Sequence, residues 1–208
     1  YVENWLREIC YSGNKVCNYN IVRERFGYQV QNQYVCMILR LKKRKNEHSI
    51  GVEMNLKQAE GLLSNYVTQK NMELLSFLDG EIMIAFVPFK ESVRRSTVHN
   101  ELRKIFDEIR TVISGRTWSA AVGSIVKNLD DFRKSYLDAI QTENVAYELE
   151  NRIQFYDDWY AHMFVLKSSD EELKQKSEKL REIIRERSFD GEFFRDDEVY
   201  NKDGVPSA

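Results

Sequence analysis

The sequence has no apolar run approaching the roughly 18 residues that a membrane-crossing helix needs, so no span is expected. It has almost no excess of charge: 31 Lys and Arg stand against 33 Asp and Glu, for a formal net charge of −2. So even a balance gives no electrostatic reason to expect nucleic-acid binding by this stretch. Cysteine is scarce and odd in number, at Cys10, Cys17 and Cys36, with spacing that matches no metal motif. Free thiols, buried or half-buried in a reducing compartment, are the reading, and a cytoplasmic location goes with it. His48, His99 and His162 lie far apart with no further Cys or His at ligand spacing, so neither a metal nor a cofactor is expected. The first residues, YVENWLREIC, contain no Met and no basic-then-apolar leader, and read as part of a longer protein.

What is present is an ordinary globular composition, 42% hydrophobic and 31% charged. The length suits one core with appendages or two small domains. Residues 2–10 predict a short amphipathic helix with Trp5, Leu6 and Ile9 on one face, and 19–26 a second, capped by Gly27. QYVCMILRLK, residues 33–42, is nearly continuously apolar in its centre, as a strand covered on both faces should be. The basic run from Lys42 to Lys45 reads as a solvated loop rather than a nucleic-acid patch. Leu56, Ala59, Leu62, Leu63, Tyr66 and Val67 recur at helical spacing over 54–69.

Asp79-Gly80 then separates LLSFL from IMIAFVP, a strong hairpin signal, with strands expected over 71–78 and 81–88 and Pro88 closing the second. A long helix is expected over 91–114, with Val98, Leu102, Ile105, Phe106, Ile109, Val112 and Ile113 inward and Gly115 at its end. TWSAAVG, residues 117–123, reads as a fourth strand. A helix over 129–149, with Asn128 as N-cap, and a strand over 152–158 follow.

The order is strand, helix, hairpin, helix, strand, helix, strand. Each helix has one apolar face, so the expected fold is α+β, a mixed sheet of the nucleotide-cyclase or ferredoxin-like kind with helices packed on it. The expected organisation is a helical lead-in at 1–32, the α+β domain at 33–167, and a charged helix with a loosely ordered tail at 168–208. A thin apolar stripe at Leu173, Leu180, Ile183 and Ile184 suits a surface helix, a linker or a partner contact.

Two pairs of residues invite chemistry. Ser135-Tyr136 suggests a nucleophile, but no His stands at local spacing to activate a serine inside a helix. Tyr136 falls on the buried stripe, and Arg133 is expected to pair with Asp130 or with Asp157 and Asp158. Asp157-Asp158 suggests metal ligands, but neighbouring carboxylates on a strand point to opposite faces, so capping of a helix from Trp159 is the better reading.

The block from Val122-Gly123 through Leu129, Arg133 to Ala139 and Phe155 to Asp158 resembles the end of the GGDEF-like domain of bacterial transcription regulators of the CdaR/PucR type. The resemblance extends over about residues 1–167. It implies a diguanylate-cyclase-like fold without catalysis, working in signal relay or self-association, with DNA bound only through a separate domain. No helix-turn-helix is legible in 168–208, so DNA binding is not assigned to this stretch.

Active cyclases of that fold hold divalent cations with an acid at the end of the first strand and an acid in a Gly-Gly-Asp/Glu-Glu-Phe hairpin, since oxygen ligands suit Mg²⁺. Here Arg40 and Lys42 stand at the first place, and the hairpin reads Leu78-Asp79-Gly80-Glu81-Ile82, where Glu81 alone matches. Cations at that strand end repel Mg²⁺. The chain is therefore not expected to be an enzyme. Arg40, Lys42 and Glu81 remain candidate ligand-binding residues, for a nucleotide phosphate or small anionic effector. The alternative is that the two cations face solvent or pair with nearby acids.

Overall fold

A computed structural model describes residues 2–12, 32–43, 49–146 and 151–158. The chain divides into two compact units, Tyr1–Tyr160 and Ala161–Ala208, and the second lies outside the described residues. So do the expected helix at 19–26, Cys17, the loop residues 44–48, and the charged helix and tail.

Helix α1 (Val2–Arg7) widens at its end into a π-helical turn, Glu8–Ser12. Strand β1 (Asn32–Leu41) and helix α2 (Ser49–Thr68) follow. Next come the hairpin strands β2 (Leu75–Asp79) and β3 (Ile82–Lys90), then helix α3 (Arg95–Val112). Strand β4 (Trp118–Val126), a 3₁₀ turn (Leu129–Asp131), helix α4 (Phe132–Ala146) and strand β5 (Ile153–Phe155) complete the unit. The sheet runs β2-β3-β1-β4-β5, antiparallel except for the β4–β5 pair. It is the expected mixed α+β sheet with helices packed on it, consistent with a cyclase-like fold.

β1 lies at the centre because both its faces are apolar. Val35, Met37, Leu39 and Leu41 face a core shared with α2 and α3, while Tyr34, Cys36 and Ile38 face one shared with α1 and α4. Phe132 anchors the second core, stacked on Phe86 at 4.4 Å and tilted against Tyr34 at 5.1 Å.

Several boundaries differ from the sequence reading. α2 starts five residues early, at Ser49, and so buries Val52 as well. β3 does not close at Pro88 but runs on to Lys90, with Pro88 opposite Tyr34. Proline is tolerated there because the β2–β3 ladder has already ended at Leu75↔Phe86, leaving no neighbour on the outer side among the described residues. α3 stops at Val112, which is exposed rather than inward, while Ile113 is buried and Gly115 adopts φ +72°. β5 is only three residues long, and residues 156–158 already begin a helical turn.

The most consequential local feature is a bulge in β4. Val35 pairs with Ile125 and Met37 with Val122, so Gly123 and Ser124 together oppose Cys36. The extra residue switches the strand's faces: Ala121 and Val126 both reach the α4 core although they differ in parity. It also disrupts the ladder, and the Cys36 N–H donates to the Ser135 hydroxyl instead, at 2.9 Å. Ser135 in turn donates to the Ser124 carbonyl at 2.6 Å. A Cβ on Gly123 would stand 1.9 Å from the Ser135 carbonyl oxygen, so only glycine lets α4 lie this close.

Gly123→Ala should therefore destabilise the domain by about 3 kcal/mol, because the obstructing atom is helix backbone and cannot swing aside. Ser135→Ala should cost about 2 kcal/mol by leaving a buried N–H unsatisfied. Urea unfolding followed by circular dichroism reads both.

Candidate functional site

β1 ends where the β2–β3 hairpin turns and where β4 begins. The Leu41 N–H donates to the Glu81 carbonyl at 3.2 Å, and the Lys42 N–H to the Thr117 carbonyl at 3.0 Å. Arg40 pairs with Ile82 across the ladder. The three residues singled out in the sequence, Arg40, Lys42 and Glu81, thus gather at one end of the sheet by backbone geometry.

Their side chains do different things. Arg40 continues the row of Tyr34, Cys36 and Ile38 and so faces α4. Its Nε donates to the Glu143 carboxylate, on the last turns of α4, in a half-buried ion pair. Lys42 lies one residue past the strand and is exposed. Glu81 is half-buried in the turn after Gly80, whose φ of +61° makes the turn a glycine position.

Asp79, the other acid of the turn, is engaged as well. α1 lies along β2, and Arg7 donates to the Leu78 carbonyl and sits 3.5 Å from the Asp79 carboxylate. The Arg7 guanidinium also lies over the Phe77 ring, 4.7 Å from its centre. The Tyr11 hydroxyl donates to Asp79 as well. Burial first, then the bond to Asp79, pushes the Tyr11 hydroxyl well above the usual phenol range, so it stays protonated and keeps donating.

Beside the hairpin, an open cleft of about 430 Å³ runs between α2 and the turn. Glu3, Glu53, Glu60, Lys57, Leu78 and Gly80 line it. Lys57 pairs with Glu53 at 2.7 Å, and Ser76 donates to Glu60 at 2.6 Å. Three carboxylates against one ammonium make this wall acidic, so it disfavours a bound anion. Among the described residues, no group of three or more His, Cys, Asp or Glu side chains is placed to hold a metal ion.

The other sequence candidates fall into structural roles. Ser135 is fully buried and serves the β4 bulge. Tyr136 packs edge-on to Tyr11 at 5.9 Å. Burial, with charge effects from Cys10 and Cys36, pushes its hydroxyl up to about 12. Burial likewise pushes the Cys10 thiol up to about 12 and Cys36 well above its usual value, so both stay protonated and inert at neutral pH. Of the acids expected for Arg133, Asp157 pairs instead with Arg95 at 2.6 Å and Asp158 lies 3.7 Å from Arg103. His99, which the pattern of α3 did not single out, is 4% exposed and stacks on Phe155. Its place on the buried stripe, four residues before Arg103, was the available signal.

A five-stranded mixed sheet with a central β1, an acidic hairpin beside its end and helices on both faces has the form of a nucleotide-cyclase-like domain. The model of the GGDEF-like domain family matches residues 23–145, and the chain belongs to that family. Among curated proteins, none matches this sequence.

Arg40→Ala should cost about 2 kcal/mol, because it leaves the Glu143 carboxylate with 12% exposure and without this partner. The double variant R40A/E143Q should recover more than half of that loss, read in the same urea titration as a double-mutant cycle.

Proposed function

We propose that this chain is a non-catalytic GGDEF-like domain of a bacterial transcription regulator, of the CdaR/PucR type, acting in signal relay or self-association. The observation that carries the reading is the Arg40–Glu143 pair. It occupies the strand end where a working cyclase of this fold needs a carboxylate free to bind Mg²⁺. A guanidinium there repels the metal, and Glu143 on α4 neutralises the guanidinium. The other acid of the turn is likewise tied into the fold, since Asp79 is held by Arg7 and Tyr11. What such a surface retains is a rigid edge built from α1, the hairpin and α4, suited to holding a neighbouring protein segment.

A second reading keeps the edge as a binding site for a nucleotide or small anion through Arg40, Lys42 and Glu81. The exposed Lys42 favours it, while the acidic cleft and the paired Arg40 weigh against it. No metal or cofactor is part of either reading, and DNA would be reached through a separate domain.

Size-exclusion chromatography with light scattering, with and without GTP and Mg²⁺, tests the proposal together with a turnover assay. The expected outcome is a self-associated species whose mass ignores nucleotide, and no GTP consumption. Mg²⁺-dependent turnover of GTP would overturn the non-catalytic reading. A nucleotide-dependent mass shift that is abolished by Lys42→Ala would establish the second reading instead.

A further inference from the structure

β5, at one edge of the sheet, is the least secured strand of the five. Among the described residues it has one neighbour, β4, with three register pairs, Ala120↔Ile153, Ala121↔Gln154 and Val122↔Phe155. Backbone help comes from the turn before it. Asn151 adopts φ +58°, its N–H donates to the Trp118 carbonyl at 2.7 Å, and its side chain accepts from the Trp118 N–H at 3.1 Å. After Phe155 the strand gives way at once to a helical turn.

Side chains of α3 hold this segment. Arg95, His99 and Arg103 stand four residues apart and so form one stripe on the helix. His99 stacks on Phe155 with ring centres 4.0 Å apart and planes at 23°. The Arg103 guanidinium lies over the same ring, 4.6 Å from its centre. Arg95 pairs with Asp157 at 2.6 Å, and Arg103 approaches Asp158 at 3.7 Å. Two consecutive acids thus meet two cations separated by two turns of one helix.

We propose that Arg95, His99 and Arg103 form a reversible latch on Phe155, Asp157 and Asp158, which either holds residues 153–158 against α3 or lets them go. The inference stands on the geometry of α3 and β5, and holds whether or not the domain is catalytic.

The charges make the latch releasable rather than permanent. Burial raises the carboxyl of the half-buried Asp157 above the usual range, and partial burial raises that of the more exposed Asp158, where solvent screens the effect. Arg95 pulls Asp157 back down, as Lys134 on α4 does more weakly, while Asp158 and Asp138 push it further up. Arg103 and Arg95 pull Asp158 down without cancelling its burial. Burial and the two arginines push His99 down to about 3, so it stays neutral while the carboxyls titrate. A carboxyl whose value is higher when latched binds its proton more readily in the latched state. The latched state is therefore favoured below that range, and loses part of its advantage as pH rises through it. At neutral pH the latch holds ionised carboxylates at a cost, which poises it for release.

Hydrogen exchange by mass spectrometry on the whole chain tests this. Arg95→Ala and Arg103→Ala should each speed exchange across residues 151–158 by about five- to tenfold, as lost ion-pair and cation–π contacts of ordinary strength would. β1 and β3 should be unchanged, which separates a local release from a general loss of stability. Asp157→Asn with Asp158→Asn should slow the same segment, because the neutral amides imitate the protonated acids. Unchanged exchange at 151–158 in the arginine variants, or a uniform rise across the sheet, would overturn the latch. Acceleration in the carboxamide variant equal to that in the arginine variants would overturn its poise.

Discussion

The contact between Gly123 and the Ser135 backbone governs this domain. Where the Cβ of any other residue would stand 1.9 Å from a helix carbonyl, glycine lets α4 settle onto β4. That closeness puts the Ser135 hydroxyl within reach of both the Cys36 N–H and the Ser124 carbonyl, which closes the ladder that the bulge breaks. Ser124 then donates to the buried Asp138 carboxylate at 2.5 Å, tying a second point of the bulge to the helix. The bulge is not a defect to be tolerated. Without its extra residue Val126 would turn to the other face of the sheet, and the core beneath α4 would lose a wall.

The candidate site follows from that seating. α4 runs over the face of β1 that carries Tyr34, Cys36, Ile38 and, last, Arg40. An arginine ending such a row reaches the far turns of the helix, and Glu143 stands there to receive it. Desolvating either charge alone would be expensive, so each keeps the other tolerable. The same economy governs the hairpin. Asp79 in a tight turn beside α1 meets Arg7 and Tyr11, and its carboxylate is committed to the fold. Chemistry that needs exposed oxygen ligands and chemistry that binds elements together compete for the same few positions, and here the second occupies Asp79 and Glu143.

Much of the fold was legible because its signals are local. The apolar run of β1, the Asp79-Gly80 turn, the stripes of α2, α3 and α4 and the Gly115 stop are each set by periodicity or backbone preference within a few residues. The displaced boundaries mark where tertiary context decides. Pro88 sits inside β3 because β2 is too short to need its missing N–H. β5 is cut to three residues because its acids pair with helix arginines instead of continuing a ladder. At the candidate site, the sequence showed that Arg40, Lys42 and Glu81 converge, since strand end and hairpin are adjacent in this topology. The partner of Arg40 was out of reach. Glu143 is 103 residues away, and only the seating of α4 brings it there.

The Ser135 case shows how a motif can carry chemistry-like residues for a purely mechanical reason. A buried serine beside a tyrosine and an arginine suggests a nucleophile, yet its hydroxyl has both its donor and an acceptor position used by backbone. A hydroxyl spent in this way cannot also attack a substrate, since attack requires that it give its proton to a base. Helix-borne serine, bulge glycine and the backbone N–H of Cys36 are therefore a single joint. Their spacing in sequence, Cys36, Gly123 and Ser135, records the geometry of a helix pressed onto a bulged sheet rather than the reach of a catalytic group.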